Sequence, residues 1–372
     1  MGLVVMSRFP VLFLGLTMPL LGADLDQPTH SEIEPIKFEI GPNGKIETMA
    51  MNRKGQLLCG VSWSADGPAV AEKPSDREFI PRPLRRPGNR PANRINRPRP
   101  PGRPGFFEPE GPRDYAIKVV DANGKVLETW PMKDIHPKMI HGCEDGTIYV
   151  GGHGKLGRFS AEGKPLAQVE ISKILEGAYA GAHVSGVTAN EKYFFVAFGD
   201  GFSLRATEDI VRFNRDFSEP KLIVQQQFGC CSHLDLDTKG DLLLIAENSR
   251  HRVNRFDFEG ERQDTWGRRD RVSLEGFAAC CNPVNFDFGP EGVLYTAESG
   301  VGRVKKYTAD GKYLGLVGYV DTTVFDRGSR LAAMSCYIPV EVNHDASRIY
   351  VMDIRANIIR VLAENAAKEN SQ

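Results

Sequence analysis

The stretch VNRFDFEGERQDTW (residues 253–266) contains the pattern that determines the fold. Apolar and polar residues alternate over its first half, a Glu–Gly turn follows, and a second extended run ends at Trp266. Alternation with a period of two is typical of a strand that is buried on one face. A turn that contains glycine between two such runs predicts a β-hairpin. The stretch therefore predicts two antiparallel strands joined around Gly260.

The same hairpin plan recurs through the chain, with Gly124, Gly163 and Gly311 in the corresponding turns of three further copies. The other copies are IKVVDANGKVLETW (117–130), LGRFSAEGKPLAQV (156–169), IVRFNRDFSEPKLIV (210–224), VKKYTADGKYLGLV (304–317) and the terminal IIRVLAEN (358–365). An apolar strand pattern precedes each hairpin: LLCGVSW (57–63), TIYVGG (147–152), YFFVAFG (193–199), LLLIAE (242–247), VLYTAE (293–298) and RIYVMD (348–353). A further short segment before each of these completes a unit of four strands.

The spacing of the units predicts the architecture. Hairpins that start at 117, 156, 210, 253, 304 and 358 recur every 39 to 54 residues. Four strands per unit at this spacing predict an all-β, six-bladed β-propeller of four-stranded antiparallel blades. The sixth unit ends after its third strand, whereas PIKFEIG (35–41) is an alternating segment without a blade. We expect this N-terminal segment to supply the missing outer strand and to close the ring.

The repeated I/V-x-R/K-F/Y motif followed by a Gly-Lys or Gly-Glu turn resembles the six-bladed propellers built from NHL repeats, over residues 35–366. The resemblance implies the propeller fold. It leaves the function open, because that fold carries lyases, lactonase-like hydrolases, protein-interaction surfaces and nucleic-acid binders.

The N-terminus is typical of an export signal. Arg8 precedes the apolar run FPVLFLGLTMPLLGA (9–23), which is too short to span a bilayer and ends in small residues. We therefore interpret residues 1–23 as a signal peptide, 24–34 as a linker and 367–372 as a tail, with the mature protein in the periplasm or outside the cell. No other run is long enough for a membrane span, and a net charge of -1 gives no argument for nucleic acid.

Residues 73–113 interrupt the first blade with a segment rich in proline and arginine. Such a composition buries too little apolar surface to offset the entropy cost of ordering, which predicts a disordered insertion between the second and third strands. Two interpretations remain open: a solvated loop, or a basic tether for an anionic polymer of the cell envelope.

Cysteines occur at comparable places in the last three blades. The segments before the innermost strands contain Cys230, Cys231, His233, Cys280, Cys281 and Cys336. The corresponding places in the second and third blades hold His136 and His183, so we expect one mouth of the channel to be rich in Cys and His. Three hypotheses explain these cysteines: structural disulfides, metal binding and redox catalysis. Because we expect the chain to be exported, disulfides are favoured, and the odd number of seven cysteines leaves at least one thiol outside them.

Thiolates and imidazoles together suit zinc or copper(I). The resemblance to NHL-type propellers adds a specific variant, because the peptide-amidating lyases of this architecture hold zinc with three histidines at the channel mouth. His136, His183 and His233 are the matching candidates in this chain.

Acidic residues at the ends of second strands form another repeated feature. Glu247 and Glu298 each lie five residues before an arginine, Arg252 and Arg303, and Asp353 occupies a similar place in the last blade. Such pairs either brace adjacent loops or form a charged rim in which the carboxylates are candidate general bases.

Two functions therefore remain open from the sequence. The first is an exported binding module whose Cys- and His-rich mouth, including Asp353, recognises a small ligand or a protein. The alternative is a zinc- or copper-dependent lyase or hydrolase that uses the same mouth. The sequence itself leaves undecided whether the chain is an enzyme.

Overall fold

Twenty-four strands make up nearly all of the regular structure in the described residues of the computed structural model. The model describes residues 25–65, 112–175, 179, 182–199, 207–229, 234–278, 281–283, 285–320, 338–354 and 356–366. The strands form six antiparallel sheets of four strands each, as the repeat spacing predicts.

Each sheet is one blade, numbered from its innermost strand outwards. The chain begins with β1 (His30–Ile36), and blade 1 then consists of β2 (Lys45–Met51), β3 (Leu57–Ser64), β4 (Arg113–Val120) and β5 (Val126–Pro131). Blade 2 consists of β6 (Met139–Gly142), β7 (Ile148–Gly152), β8 (Lys155–Phe159) and β9 (Pro165–Glu170), and is followed by α1 (Ile171–Ile174). Blade 3 consists of β10 (His183–Ala189), β11 (Tyr193–Gly199), β12 (Thr207–Asn214) and β13 (Lys221–Phe228).

The last three blades follow the same order. Blade 4 consists of β14 (Leu236–Lys239), β15 (Leu242–Glu247), β16 (Arg252–Asp257) and β17 (Arg262–Trp266). Blade 5 consists of β18 (Asn285–Phe288), β19 (Leu294–Glu298), β20 (Arg303–Tyr307) and β21 (Tyr313–Tyr319). Blade 6 combines β22 (Val340–Val342), β23 (Arg348–Asp353) and β24 (Ile358–Glu364) with β1.

The innermost strands β2, β6, β10, β14, β18 and β22 each contact the next one around the ring, and β22 contacts β2. The molecule is therefore a six-bladed β-propeller with a channel between the six innermost strands. This confirms the fold predicted from the repeats.

The ring is closed by an N-terminal strand, as predicted, but the position of that strand was wrong. β1 pairs antiparallel with β24, with Ile33 opposite Val361. It occupies His30–Ile36 and overlaps the predicted segment 35–41 at only two residues, so residues 30–34 belong to blade 6 and not to a linker. Only His30 and Ile36 are buried in this outer strand, which explains why its sequence lacks a clear alternation.

The core is divided among the contacts between blades. In the described residues, six clusters of buried side chains each join two neighbouring blades. Between blades 2 and 3, for example, the ring of Tyr149 stacks on that of Phe194 with centroids 4.3 Å apart. Because both faces of every blade are buried in this way, second strands such as YFFVAFG are apolar throughout.

Two hairpin glycines fit tightly against tryptophans of the preceding blade. Gly163 has φ +73°, and a Cβ placed there would come within 2.2 Å of Cδ2 of Trp130. Gly311 has φ +90° and a similar approach of 2.4 Å to Trp266. Both the left-handed backbone and the close approach require glycine. The two tryptophans therefore have the blade-packing role that their positions at the ends of outer strands suggest.

β3 ends at Ser64 and β4 begins at Arg113, so the Pro/Arg-rich segment lies between the second and third strands of blade 1, and Arg113, its predicted last residue, belongs to β4. Residues 66–111, like residues 1–24, lie outside the described part of the chain. Within that part, no helix has the length and apolar character needed to cross a membrane.

Candidate functional site

The channel has two chemically different ends. We call the end where the innermost strands begin the first mouth, and the end where they finish the second mouth. His183 is the first residue of β10 and lies at the first mouth, whereas Cys143 directly follows β6 and lies at the second.

A row of rings lies at the first mouth between blades 1 and 3. We call it the aromatic row; it consists of Tyr115, His136, His153 and His183. Tyr115 stacks on His136 with centroids 4.2 Å apart, and His153 contacts His136 at 5.8 Å and His183 at 5.6 Å. His153 is exposed and the other three side chains are half-buried, so the row faces solvent. Sequence analysis selected His136 and His183 but missed His153, which joins them.

Charged groups flank this row. Nζ of Lys138 lies 3.0 Å from Oε2 of Glu47, and the hydroxyl of Ser62 donates to Oε1 of Glu47 at 2.5 Å. Nε2 of His136 lies 3.4 Å from the same Oε1, which is an ion-pair distance and too long for a strong hydrogen bond. Arg113 also donates to the Ser62 hydroxyl, at 2.8 and 3.2 Å.

The protonation states at the first mouth follow from these neighbours. Burial raises the pKa of Glu47, but His136, Lys138 and Ser62 together outweigh it and hold this pKa well below the usual range. Burial lowers the pKa of His136, against the opposing effect of Glu47. At neutral pH the site therefore presents a carboxylate, an ammonium group and a neutral imidazole.

The residues of the described part of the chain do not fit an ion held by three histidines. Nowhere in that part are three His, Cys, Asp or Glu side chains arranged to hold a metal. Of the three candidate ligands, His136 faces Glu47, His183 contacts His153, and His233 lies outside the described residues.

The cysteine-rich segments are only partly described. Cys230, Cys231, His233, Cys280 and Cys336 lie outside the described residues. Cys281 is buried and has φ +63°, in the left-handed region. The next residue, Asn282, is fixed by its side chain, which accepts from N–H of Ser299 at 2.8 Å and donates to the Ser299 carbonyl at 3.0 Å. The Cys-rich mouth remains a prediction.

Cys59 and Cys143 are buried free thiols. Burial raises the pKa of Cys59 above its ordinary range, and burial raises that of Cys143 to about 12. Both are therefore protonated and unreactive at neutral pH.

Glu298 of blade 5 is held by two buried cations. Arg303 donates to its carboxylate at 2.7 and 3.0 Å, and Nζ of Lys305 lies 2.9 Å away. Glu298 and Lys305 are fully buried. The same carboxylate accepts from N–H of Ala278 at 2.9 Å, so protein groups occupy its acceptor positions.

Lys305 extends this brace to the loop before the cysteines. Its ammonium group donates to the carbonyls of Leu274 and Gly276 at 2.8 and 2.5 Å. Burial lowers the pKa of Lys305 to about 8, although Glu298 opposes the shift. Side chains of blade 5 thus hold in place the segment that precedes Cys280 and Cys281. This contact favours a structural role for Glu298 and Arg303 over a catalytic one.

Blades 4 and 6 have related pairs. Buried Glu247 accepts from Arg252 and, at 2.9 Å, from Asn254. Asp353 accepts from Nε of Arg360 at 2.8 Å, and Nη1 of Arg360 donates to Glu32 of β1 at 2.8 Å. The last contact ties the closing strand to blade 6. The acid–base pairs predicted from sequence are therefore formed, as structural ties between neighbouring segments.

Beyond the aromatic row, the channel widens into a cavity of about 170 Å³ that extends to the second mouth. Its polar lining is unusual for the centre of a protein: His141 of β6, Asp235 before β14, Asp237 of β14, Asp287 of β18 and Glu341 of β22. Each of these side chains keeps some surface inside the channel, while strands surround it on all sides.

The channel carboxyls hydrogen-bond to the next blade. Asp235 accepts from N–H of Phe286 at 2.8 Å, and Asp287 accepts from N–H of Val342 at 2.7 Å. Glu341 in turn accepts from the backbone of Met51. Acids on three successive innermost strands thus connect blades 4 to 5, 5 to 6 and 6 to 1.

Burial raises the pKa of all four channel carboxyls. That of Asp235 rises to about 7, and that of Asp237 rises as well. Asp287 and Glu341 have pKa values well above the ordinary range, because burial acts together with the charges of the neighbouring acids. Burial lowers the pKa of His141.

The fold defines the chain as a six-bladed β-propeller, and comparison with known proteins adds no family to this class. No protein-family model matches the chain, and no curated protein matches it. Similar solved structures include a gluconolactonase from Xanthomonas campestris, with 14% identity, a TM-score of 0.45 and coverage of 68% of this chain and 82% of the other. A Bacteroides thetaiotaomicron protein of unknown function has 15% identity, a TM-score of 0.48 and coverage of 68% and 65%. These similarities concern the fold alone.

Proposed function

We propose that this chain is an exported β-propeller of the NHL type that binds a polar ligand or a protein partner at its first mouth. The observation that carries the proposal is the aromatic row, which presents four adjacent rings to solvent between blades 1 and 3. Export rests on the N-terminal sequence and is proposed with it.

The chemistry of the row suits a ligand that has both a flat or apolar face and hydrogen-bonding groups. Imidazole and phenol rings offer stacking surfaces, and each carries a polar atom at its edge. Glu47 and Lys138 add one carboxylate and one ammonium group beside the row. Concave sites with aromatic walls and few convergent polar groups are typical ligand sites.

A binding role also agrees with the state of the charged residues elsewhere at this mouth. Glu247 and Glu298 are already hydrogen-bonded to arginines and to other protein groups. A general base must reach the proton it removes, and these carboxylates are buried in their own networks.

Thermal-shift measurements test the proposal with sugars, sugar acids and short peptides as three ligand classes. At least one class is expected to raise the unfolding temperature of the protein, and His153→Ala should abolish that rise. Because His153 is exposed, the variant should fold normally. The matched control is His344→Ala, which removes an exposed histidine from the second mouth and should keep the rise.

A shift that survives in His153→Ala, or no shift with any class, contradicts binding at the aromatic row. Metal analysis of the same samples distinguishes the alternative function. Stoichiometric zinc or copper, removed by a chelator together with activity toward peptide or lactone substrates, would favour a metal-dependent lyase or hydrolase.

The Pro/Arg-rich segment 73–113 supports a second, separate contact. We propose that it tethers the propeller to an anionic polymer of the cell envelope, because its arginines attract negative charge without requiring a folded surface. Deletion of residues 73–111, which spares Arg113 of β4, should reduce retention on an anionic polysaccharide column at low salt and leave the folded propeller intact. Equal retention of the deleted and complete chains would contradict the tether.

A further inference from the structure

Blade 6 is the least continuous part of the ring. Its outer strand β1 comes from the N-terminus, and its innermost strand β22 has only three residues. Two carboxyls hold β22 to its neighbours, and we call them the closing pair: Asp287 of blade 5 binds N–H of Val342 in β22 at 2.7 Å, and Glu341 of β22 accepts from Met51 of blade 1.

We propose that the closing pair is a pH-sensitive closure of the propeller, which holds β22 in place when it is protonated and loosens blade 6 when it is ionised. The arrangement differs from an ordinary surface cluster because both acids line the enclosed channel and both bond to a different blade. A change in their charge therefore acts directly on the contacts that close the ring.

The groups that face the closing pair add negative charge. Asp235 and Asp237 approach from blade 4, and each contributes repulsion to Asp287 and to Glu341. His141 faces Asp237 from blade 2, and Cys59 lies near Glu341 from β3. Among the described residues, the main influences on the pKa of either member of the pair include no arginine or lysine.

Other charged side chains lie at the far end of the cavity. Arg53, Glu144 and His344 line it at the second mouth. His344 hydrogen-bonds to the carbonyl of Arg53 at 3.1 Å. On the second strands, Tyr295 lies opposite Asp287, and Tyr350 lies opposite Glu341. Burial raises the pKa of both tyrosines, so both stay neutral between pH 5 and 8.

Ionisation has two opposing effects on the closing pair. A carboxylate accepts the backbone N–H more strongly than a carboxylic acid does. Against this, ionisation places like charges together in a low-dielectric channel, and burial disfavours each charge separately. The raised pKa values of Asp287 and Glu341 show that the second effect is the larger.

The direction of the pH dependence follows from these shifts. A carboxyl whose pKa is higher in the folded than in the unfolded chain binds its proton more tightly when folded. Its stabilising contribution is complete below the unfolded pKa of about 4 and is lost as the pH rises through the folded value. The contacts that hold β22 in the ring should therefore weaken from mildly acidic to alkaline pH.

Hydrogen exchange followed by mass spectrometry on the complete chain tests the closure between pH 5 and 8. Protection factors at Val342 and Met51, corrected for the intrinsic exchange rate, should fall by up to about tenfold per pH unit for each carboxyl that titrates. Leu156 in β8, a strand of blade 2 that has no carboxyl and does not line the cavity, provides the internal control and should keep its protection.

Two variants make the test specific. Asp287→Asn with Glu341→Gln should remove the pH dependence at blade 6, whereas Asp264→Asn, which removes an exposed carboxyl of β17, should keep it. Constant protection at Val342 from pH 5 to 8, or equal loss at Leu156, would overturn the proposal. The exchange measurement on the wild-type protein tests the proposal even if the double variant does not fold.

Discussion

Two glutamates on adjacent innermost strands, Glu47 of β2 and Glu341 of β22, have pKa values that are shifted in opposite directions. Glu47 lies at the first mouth beside His136 and Lys138, and its pKa is held well below the ordinary range. Glu341 lies further along the channel among Asp235, Asp237 and Asp287, and its pKa is raised well above it. The same residue type on the same kind of strand therefore has a different charge at neutral pH.

The difference shows that the position along the channel, rather than burial alone, sets the chemistry of this propeller. Burial raises the pKa of both glutamates, but at Glu47 the neighbouring His136 and Lys138 reverse the effect. The first mouth can therefore present a fixed charge to a ligand. The cavity beyond it instead holds acids whose pKa values burial raises.

The largest expected loss of stability comes from removing the carboxylate that neutralises two buried cations of blade 5 at the first mouth. Glu298→Ala leaves Lys305 and Arg303 buried without their common counter-charge. Removing one partner of a buried ion pair typically costs about 3–5 kcal/mol in the free energy of unfolding, which urea denaturation can measure. The control is Glu259→Ala, which breaks exposed pairs and should change stability little. A loss in Glu298→Ala as small as in the control would show that the brace is not needed.

Glu47→Gln should have a smaller effect of the same sign. The substitution removes the carboxylate that pairs with Lys138 and accepts from Ser62, and charged hydrogen bonds of this kind contribute about 1.5–3 kcal/mol. Because the pKa of Glu47 is lowered, its contribution is complete above about pH 4 and declines as the pH falls from there toward the folded pKa. Urea denaturation at pH 7 and at pH 3 should therefore show a smaller loss at pH 3 than at pH 7. An equal loss at both pH values would mean that the charge of Glu47 is not the cause.

Glu341→Gln should have the smallest effect and the opposite sign. A neutral amide replaces a carboxyl that the fold resists ionising, so the free energy of unfolding at pH 8 should rise by about 0.5–2 kcal/mol, the usual range for single stabilising substitutions. At pH 4, where the carboxyl is already protonated, the gain should vanish. Thermal unfolding at the two pH values measures the difference, and a loss of stability at pH 8 would contradict the raised pKa.

The architecture was predictable because each hairpin carries its own turn and its own alternation. The six repeats and the composite last blade follow from these local signals. The closing strand was misplaced because an outer strand needs few buried residues: HSEIEPI buries only two, whereas the neighbouring PIKFEIG has the more regular pattern.

The site was less predictable because it depends on contacts between blades. His153 belongs to the loop between β7 and β8, and nothing in its local sequence indicates that it reaches His136 and His183. The channel acids had a usable signal that was not recognised. In FDF and VEV, the polar residue of an alternating innermost strand faces the enclosed channel and not bulk water. Alternation alone does not distinguish these two environments.

Infrared spectroscopy of the complete protein at pH 7 tests most directly whether the two glutamates differ in protonation. The account predicts an absorption band from protonated carboxyl groups that weakens in the double variant Asp287→Asn/Glu341→Gln and is unchanged in Glu47→Gln. The absence of such a band in the wild-type protein, or its weakening in Glu47→Gln but not in the double variant, would contradict the account.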